Sequence, residues 1–242
     1  MPGTNPNTIL TLCLALCLCS ACDNPEARRL SIRVLAVDGK AQRLRSGGES
    51  SLQSGIWVSL GEKITVAPGG RVDLMILPGI WAELEGDSEL QLEALLLERN
   101  GDDWIHPMRK REATVRLLRG SLYFALQQSQ TRSRLIVHTP VGTVFAGAGR
   151  AGKIEARSQQ VSVLSARDEI VFDATAAQRL HIPAGYLLEW PGLATEPSPG
   201  AQAEVRKVME VRKHLFTLAD QTVARFSLAP EPAGKRRSQP KK

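Results

Sequence analysis

The chain has 242 residues, 43% of them apolar and 23% charged, with a formal net charge of +6. That length admits one all-β domain, or one domain with an appendage. The four cysteines stand at 13, 17, 19 and 22 with none after them, which excludes a disulfide framework and leaves the folded part to stand on its own core.

Residues 1–21 read as a signal peptide, because no charged side chain occurs in them and an apolar run extends from Ile9 to Leu18. A helical run of that length spans about 15 Å, half of a bilayer's hydrocarbon core. Small Ser20 and Ala21 then precede a cleavage point. The stretch "LCSAC" resembles the lipobox of bacterial lipoproteins, with Cys22 at the obligatory cysteine and Cys19 in place of the usual aliphatic residue. The resemblance implies a diacylglyceryl group on Cys22, cleavage before it, and acylation of the new N-terminus by a fatty acid such as palmitate. An ordinary secretion signal rich in cysteine is the alternative. The lone mature cysteine at the cleavage point favours acylation, and several buried acyl chains give a firm membrane anchor. Asp23 resembles the inner-membrane retention residue of enterobacterial lipoproteins, so the expected place is the periplasmic side of the cell envelope, leaning to the inner membrane.

Residues 22–29 form a short tether, and residues 30–192 read as strand, turn, strand. "LSIRVLAV", "KITVA", "RVDLMIL" and "IWAELEG" come first, then "ELQLEALLL", "ATVRLLRG" and "SLYFALQQ". "RLIVHTP", "GTVFAGAG", "KIEARS", "VSVLSA", "EIVFDA", "RLHIPAG" and "YLLEWPG" complete the series. Such regular turn signals predict an all-β domain, either a solenoid-like stack or a sandwich of short strands. "ELQLEALLLE" also suits a helix, but the alternation from Glu89 to Glu93 makes it a strand.

Residues 193–202 are a linker, in which Ser198 could cap a helix with Pro199 at its first position. The period then changes over 203–227. Val205, Val208, Met209, Leu215, Phe216, Ala219, Val223 and Phe226 fall in one apolar stripe interrupted by Arg212. This amphipathic helix should cap an end or cover a face of the β-domain, with a partner helix as the alternative. Residues 228–242 have little apolar content and predict a disordered tail. Five basic residues stand there against Glu231, so the tail holds +4 of the chain's +6 and the folded part is near neutral. The tail could meet anionic lipid or an acidic polymer, or merely keep the protein soluble. Nucleic acid is not an expected partner outside the cytoplasm.

"FAGAGRAGK" holds Gly147, Gly149 and Gly152 at the spacing of a dinucleotide-binding turn, with Asp168 at the distance of a ribose-binding carboxylate. That chemistry needs a helix N-terminus after the glycines. "KIEARSQQVSVL" alternates instead, as a β-hairpin does, so Gly142, Gly147, Gly149 and Gly152 are expected at strand-to-strand bends and no nucleotide is expected.

Several stretches together resemble the FecR domain of bacterial envelope proteins. "SLGEKITVAPGGRVDLMI" carries the match at Gly61, Ile64, Gly70, Val72 and Leu74, and "LLRGSLYFAL" at Gly120. "VHTPVGTVFAGAG" carries it at Thr139, Pro140, Gly142, Thr143, Val144 and Gly147, and "IPAGYLLEW" at Gly185. The chain departs from the family pattern at Ala148, Gly149 and Arg150, and at Pro78-Gly79-Ile80. The resemblance implies a solenoid-like stack of strands from about Val34 to Trp190. It also implies a place in signalling, since FecR-type proteins pass the state of an outer-membrane transporter to a sigma factor.

No catalytic constellation emerges. His106, His138, His181 and His214 lie far apart in sequence, and Asp102-Asp103 lacks the further oxygen ligands that calcium needs. Neither a metal nor a cofactor is expected, and the protein is expected not to be an enzyme. The candidate binding stretch is Arg109, Lys110, Arg111, Arg116 and Arg119, a basic cluster able to contact glycan, lipid phosphate or an acidic protein surface, or else a solvated strand face. The expected role is a lipid-anchored binding or scaffold protein directed at another envelope protein or a surface polymer. The alternative is a FecR-type signalling component acting through a membrane-spanning partner.

Overall fold

The computed structural model describes residues 30–99, 108–175, 178–192 and 198–227. Cys22, the tether, Asp102-Asp103, His106 and the basic tail lie outside the described residues. Sixteen strands and one helix make up the described part, so the chain is all-β with a terminal helix.

Two long strands form its spine. β7 (Ile80–Arg99) and β8 (Met108–Leu126) pair antiparallel along their whole length. Each was expected as two short strands, "IWAELEG" with "ELQLEALLL" and "ATVRLLRG" with "SLYFALQQ". The chain instead runs on through a corner. Glu85 pairs with Ser121 and Glu89 with Arg119, so Gly86, Asp87 and Ser88 stand opposite Gly120 alone. Three residues against one forces a sharp bend in a β-ribbon.

The corner divides the strands into two wings. The first wing runs β4 (Trp57–Ser59), β1 (Ser31–Asp38), β6 (Arg71–Leu77), the start of β7, the end of β8, then β11 (Ala151–Arg157), β12 (Gln160–Arg167), β15 (Tyr186–Trp190) and β16 (Ser198–Pro199). The second runs β3 (Gly48–Ser51), β2 (Ala41–Arg45), β5 (Lys63–Val66), the far part of β7, the near part of β8, then β9 (Arg132–Thr139), β10 (Gly142–Gly147), β13 (Ile170–Thr175) and β14 (Gln178–Ile182). Every pairing is antiparallel except β8 with β9. A solenoid would stack its coils in parallel, so the sandwich arrangement is the one that describes this fold.

The wings face each other over one core. Val72, Leu74, Leu84, Leu122 and Ile154 of the first wing join Ile64, Leu90, Val115, Val137 and Phe172 of the second in a single buried cluster. The rings of Phe172 and Trp190, one from each wing, lie 6.3 Å apart.

Helix α1 (Gln202–Ser227) lies on the outer face of the first wing. Val208 packs with Tyr123, Ala125, Ala151 and Leu164, while Leu215 and Ala219 pack with Trp81. The Trp81 and Phe216 rings meet edge to face at 4.7 Å. Arg212, which breaks the apolar stripe, lays its guanidinium over Phe216 at 4.4 Å, so the interruption still covers apolar surface. Ser198 and Pro199 do not start this helix. They pair with Leu187 and Tyr186, and the first helical bonds run from Glu204 and Val205 to the carbonyl of Ala201.

Two expectations follow. Gly120 has φ +89°, and a Cβ there would lie 2.5 Å from Ser88 Cα, so Gly120→Ala meets both left-handed strain and a backbone clash. It should cost about 3 kcal/mol and lower the melting temperature by roughly 6–12 °C in a thermal scan. Leu215→Ala should cost about 2–5 kcal/mol and shift tryptophan fluorescence to the red as Trp81 loses cover, both readable in one denaturant titration.

Candidate functional site

The glycine stretch is a crossing between wings. β10 belongs to the second wing and β11 to the first, and Ala148 and Gly149 turn the chain between them. A strand follows the glycines, not a helix, so no helix N-terminus faces this turn. Gly149, with φ +84°, sits in the bend. Gly142 and Gly147 begin and end β10, and Gly142 follows the tight Pro140-Val141 turn, where the Thr139 hydroxyl donates to the Gly142 carbonyl at 2.9 Å. Gly152 is a correction, because it lies within β11. A Cβ there would stand 2.7 Å from Ile170 Cδ1, so the glycine lets the opposite wing approach. Asp168 occupies the β12 to β13 crossing with φ 58°.

The basic stretch falls along β8, and strand alternation separates its members. Arg116 and Arg119 point to acids of the neighbouring strand. Arg116 Nε lies 2.5 Å from Glu93, and Arg119 lies 2.5 Å from Asp87 and 3.7 Å from Glu89. Lys110 lies 3.4 Å from Glu112. Arg111 turns inward, where its guanidinium lies against Gly79 at the mouth of the sandwich, and burial depresses its pKa. Arg109 is exposed. The five residues therefore form no single cationic patch. Arg109 and Lys110 adjoin each other in sequence near the end of the long hairpin, with Lys110 drawn to Glu112.

That end carries a second feature. β5 covers β7 only from Ser88 to Gln91, and Gly61 and Glu62 bond to Leu92. From Glu93 onward no strand among the described residues pairs with the outer edge of β7. Leu95 and Leu97 are half-buried there, and Leu96 is 39% exposed. An unpaired edge with apolar side chains is a template for another strand. Leu97 and Glu98 lie opposite Arg111 and Lys110, which places this edge beside the basic end of β8.

A third feature lies under α1. Asp73 of β6 and Glu83 of β7 are direct cross-strand partners on the helix-covered face, 1% and 3% exposed. His214 of α1 shares a hydrogen bond with Asp73 Oδ2 through Nε2 at 3.0 Å. One oxygen of each carboxylate, Asp73 Oδ1 and Glu83 Oε2, has no hydrogen-bond partner. Burial first, and then the charge of Asp73, push the Glu83 carboxyl up to about 7. Two strand positions further on, Lys207 donates to both Glu85 oxygens at 2.9 and 3.0 Å, and the Tyr123 hydroxyl donates to Glu85 at 2.9 Å. Burial works to raise the Glu85 carboxyl, but the bonds from Lys207 and Tyr123 prevail and lower it.

Sequence reasoning missed this cluster, because Asp73, Glu83 and His214 are scattered along the chain. The available signal was an acid inside each of two apolar strands, "RVDLMIL" and "IWAELEG", whose alternate faces are both buried. The other described histidines stand apart from it. His138 bonds to Thr143 at 3.0 Å, and His181 bonds to Glu169 at 2.8 Å.

No family model matches the chain, and no curated protein does either. Among solved structures the chain is similar to two crystal structures of a "putative anti-sigma factor" from Parabacteroides distasonis, at 13% identity with a TM-score of 0.43 for each. The match covers 60% of this chain and 62% of that one, so it spans about three-fifths of either protein.

Proposed function

We propose that this is a non-enzymatic binding protein of the bacterial envelope, held to a membrane by lipid on Cys22. Its β-domain takes an extended segment of another envelope protein onto the outer edge of β7. The open edge from Glu93 to Glu98 carries this reading. It offers backbone donors and acceptors for a new strand, with Leu95, Leu96 and Leu97 to give side-chain contact on both faces. Arg109 and Lys110 beside it favour an acidic segment over a basic one.

A signalling role is the same contact put to use. In a FecR-type system, an anchored domain that binds a membrane-spanning partner could report the state of a transporter. The motif resemblance at Thr139 to Gly147 and at Gly61 to Leu74 supports this second reading, and the two readings differ only in what the partner does next. A surface polymer or an anionic membrane would instead engage the basic tail. Neither nucleotide nor nucleic acid has a part in this proposal.

A photo-crosslinking residue at Leu96, in intact cells, should give an adduct with one envelope protein. The same residue at Arg206, exposed on α1, should give none. Leu96→Asp, introduced beside a crosslinker at Glu93, should weaken capture by about tenfold, or ~1.4 kcal/mol. Equal adducts from both positions would remove the edge as the docking surface. Separately, Cys22→Ser should move the protein from the membrane fraction to the soluble fraction and abolish palmitate labelling, and a wild-type chain that takes no label would refute the anchor.

A further inference from the structure

Two buried carboxylates facing each other under a helix need compensation. Asp73 and Glu83 are both more than nine-tenths buried, and each has an oxygen without a donor, whereas the Glu85 carboxylate two positions on is held by Lys207 and Tyr123. Buried charges in folded proteins are paired or bind a metal, and an orphaned buried oxygen calls for a proton, a water or an ion. The bond from His214 to Asp73 Oδ2 and the contact between the two carboxyl groups still leave Asp73 Oδ1 and Glu83 Oε2 without a donor.

We propose that Asp73, Glu83 and His214 form a site for a divalent first-row cation, with zinc the best fit, which clasps α1 to the first wing. The three residues each present one ligand atom, and these atoms lie within 4.8 Å of one another. A tetrahedral zinc with bonds of about 2.0–2.2 Å holds its ligand atoms about 3.4 Å apart, so small side-chain rotations close the site. Asp73 and Glu83 are fixed opposite each other by the β6–β7 ladder, and His214 is fixed by the packing of Leu215 beside it. The set thus has two rigid ligands from the sheet and one from the helix.

The chemistry of the set selects the ion. Magnesium and calcium ask for six or more oxygen ligands, whereas one donor here is an imidazole nitrogen and only three side chains converge. Imidazole with carboxylate in a small, largely dry site suits zinc. His214 is half-buried, so a water can reach the fourth position from its side. The ion would take the place of the hydrogen between His214 Nε2 and Asp73 Oδ2, with the imidazole as its other neutral tautomer. Arg71 lies near enough to act on Glu83, and with one cation bound the cluster carries no net excess of negative charge to repel. The outcome is structural. The cation joins residues 73, 83 and 214, and so holds the helix where the apolar stripe has placed it.

The test uses the full chain with Cys13, Cys17, Cys19 and Cys22 replaced by serine, since free thiolates would bind zinc themselves. After dialysis against chelator, zinc should raise the melting temperature saturably and bind with micromolar affinity at one site per chain by calorimetry. Magnesium should do neither. Cobalt(II) should give the intense visible absorption of a four-coordinate centre. His214→Ala, with its half-exposed side chain, should fold and lose the zinc shift. Glu83→Gln removes the opposed carboxylate, so it should leave the chelated protein at least as stable and still abolish the shift. Zinc binding that survives both substitutions would overturn the proposal. So would the absence of any zinc shift or binding heat, which would leave a shared proton between the two carboxyls as the compensation.

Discussion

The corner at Ser88 and Gly120 is the constraint on which the rest of the molecule depends. A straight strand of the length of β7 would reach about 66 Å at ~3.3 Å per residue, and no second layer could fold back along it. Bending the hairpin halfway turns one ribbon into the shared edge of two sheets. Ser88 is fully buried at the bend, its hydroxyl donates to the Glu85 carbonyl, and it accepts from the Ser121 amide at 2.9 Å. Those bonds replace ladder bonds that the bulge removes. Gly120 supplies the rest, because only a residue without Cβ leaves room for Ser88 in the corner. Once the bend is fixed, each later crossing between wings has its register set, and the core between them has its thickness.

Folding a sheet over itself covers the inner faces but leaves both outer faces to water. The first wing carries Met75, Trp81, Tyr123 and Ala125 on its outer face, too much apolar surface to leave bare, and α1 answers that need. Magnitudes show which contacts matter. The Lys207–Glu85 pair is about two-fifths exposed on each side, so it adds little beyond orientation. Burial of Val208 and Leu215 contributes about 1.5–3 kcal/mol each. Apolar packing therefore holds the helix and the polar pairs choose its register. Asp73 and Glu83 run against this trend, since a pair of apolar residues there would pack without an unpaired oxygen. Their presence marks a place where something other than stability has shaped the surface.

Much of the fold was legible because alternation is a local property. The strands from Leu30 to Trp190, the bend at Gly149, the β11–β12 hairpin and the helical stripe all follow from neighbours within a few residues. The strand path was not legible. A turn such as Ala148-Gly149 looks the same whether it closes a hairpin or carries the chain to the other sheet, and the difference lies in partners dozens of residues away. For the same reason the sequence shows Gly86 as a strand end and Asp87-Ser88 as a turn, since a bulge and a turn use the same residues. The basic stretch was visible as composition, but its pairing with Asp87, Glu89 and Glu93 depends on register. The Asp73–Glu83–His214 cluster needs both register and helix docking, and no spacing in the sequence encodes either.

The open edge is a consequence of the same corner. The bend fixes where β5 and β6 can meet β7, and together they cover it from Ile80 to Gln91. β8 is supported further out, because β9 runs beside it from Lys110 to Arg116. The hairpin can therefore extend beyond β5 without losing its fold, supported among the described residues from one side only. Edges are commonly blunted by charge, proline or a bulge, and here one irregularity falls at Glu93, where the β7–β8 register shifts between Leu92 and Ala94. Glu93 itself is drawn to Arg116 and Glu98 faces Lys110 across the ladder, which leaves Ala94, Leu95, Leu96 and Leu97 as the side chains between them. A ladder supported on one side, apolar between its charges and bordered by cations is poorly suited to water alone. It is well suited to one more strand.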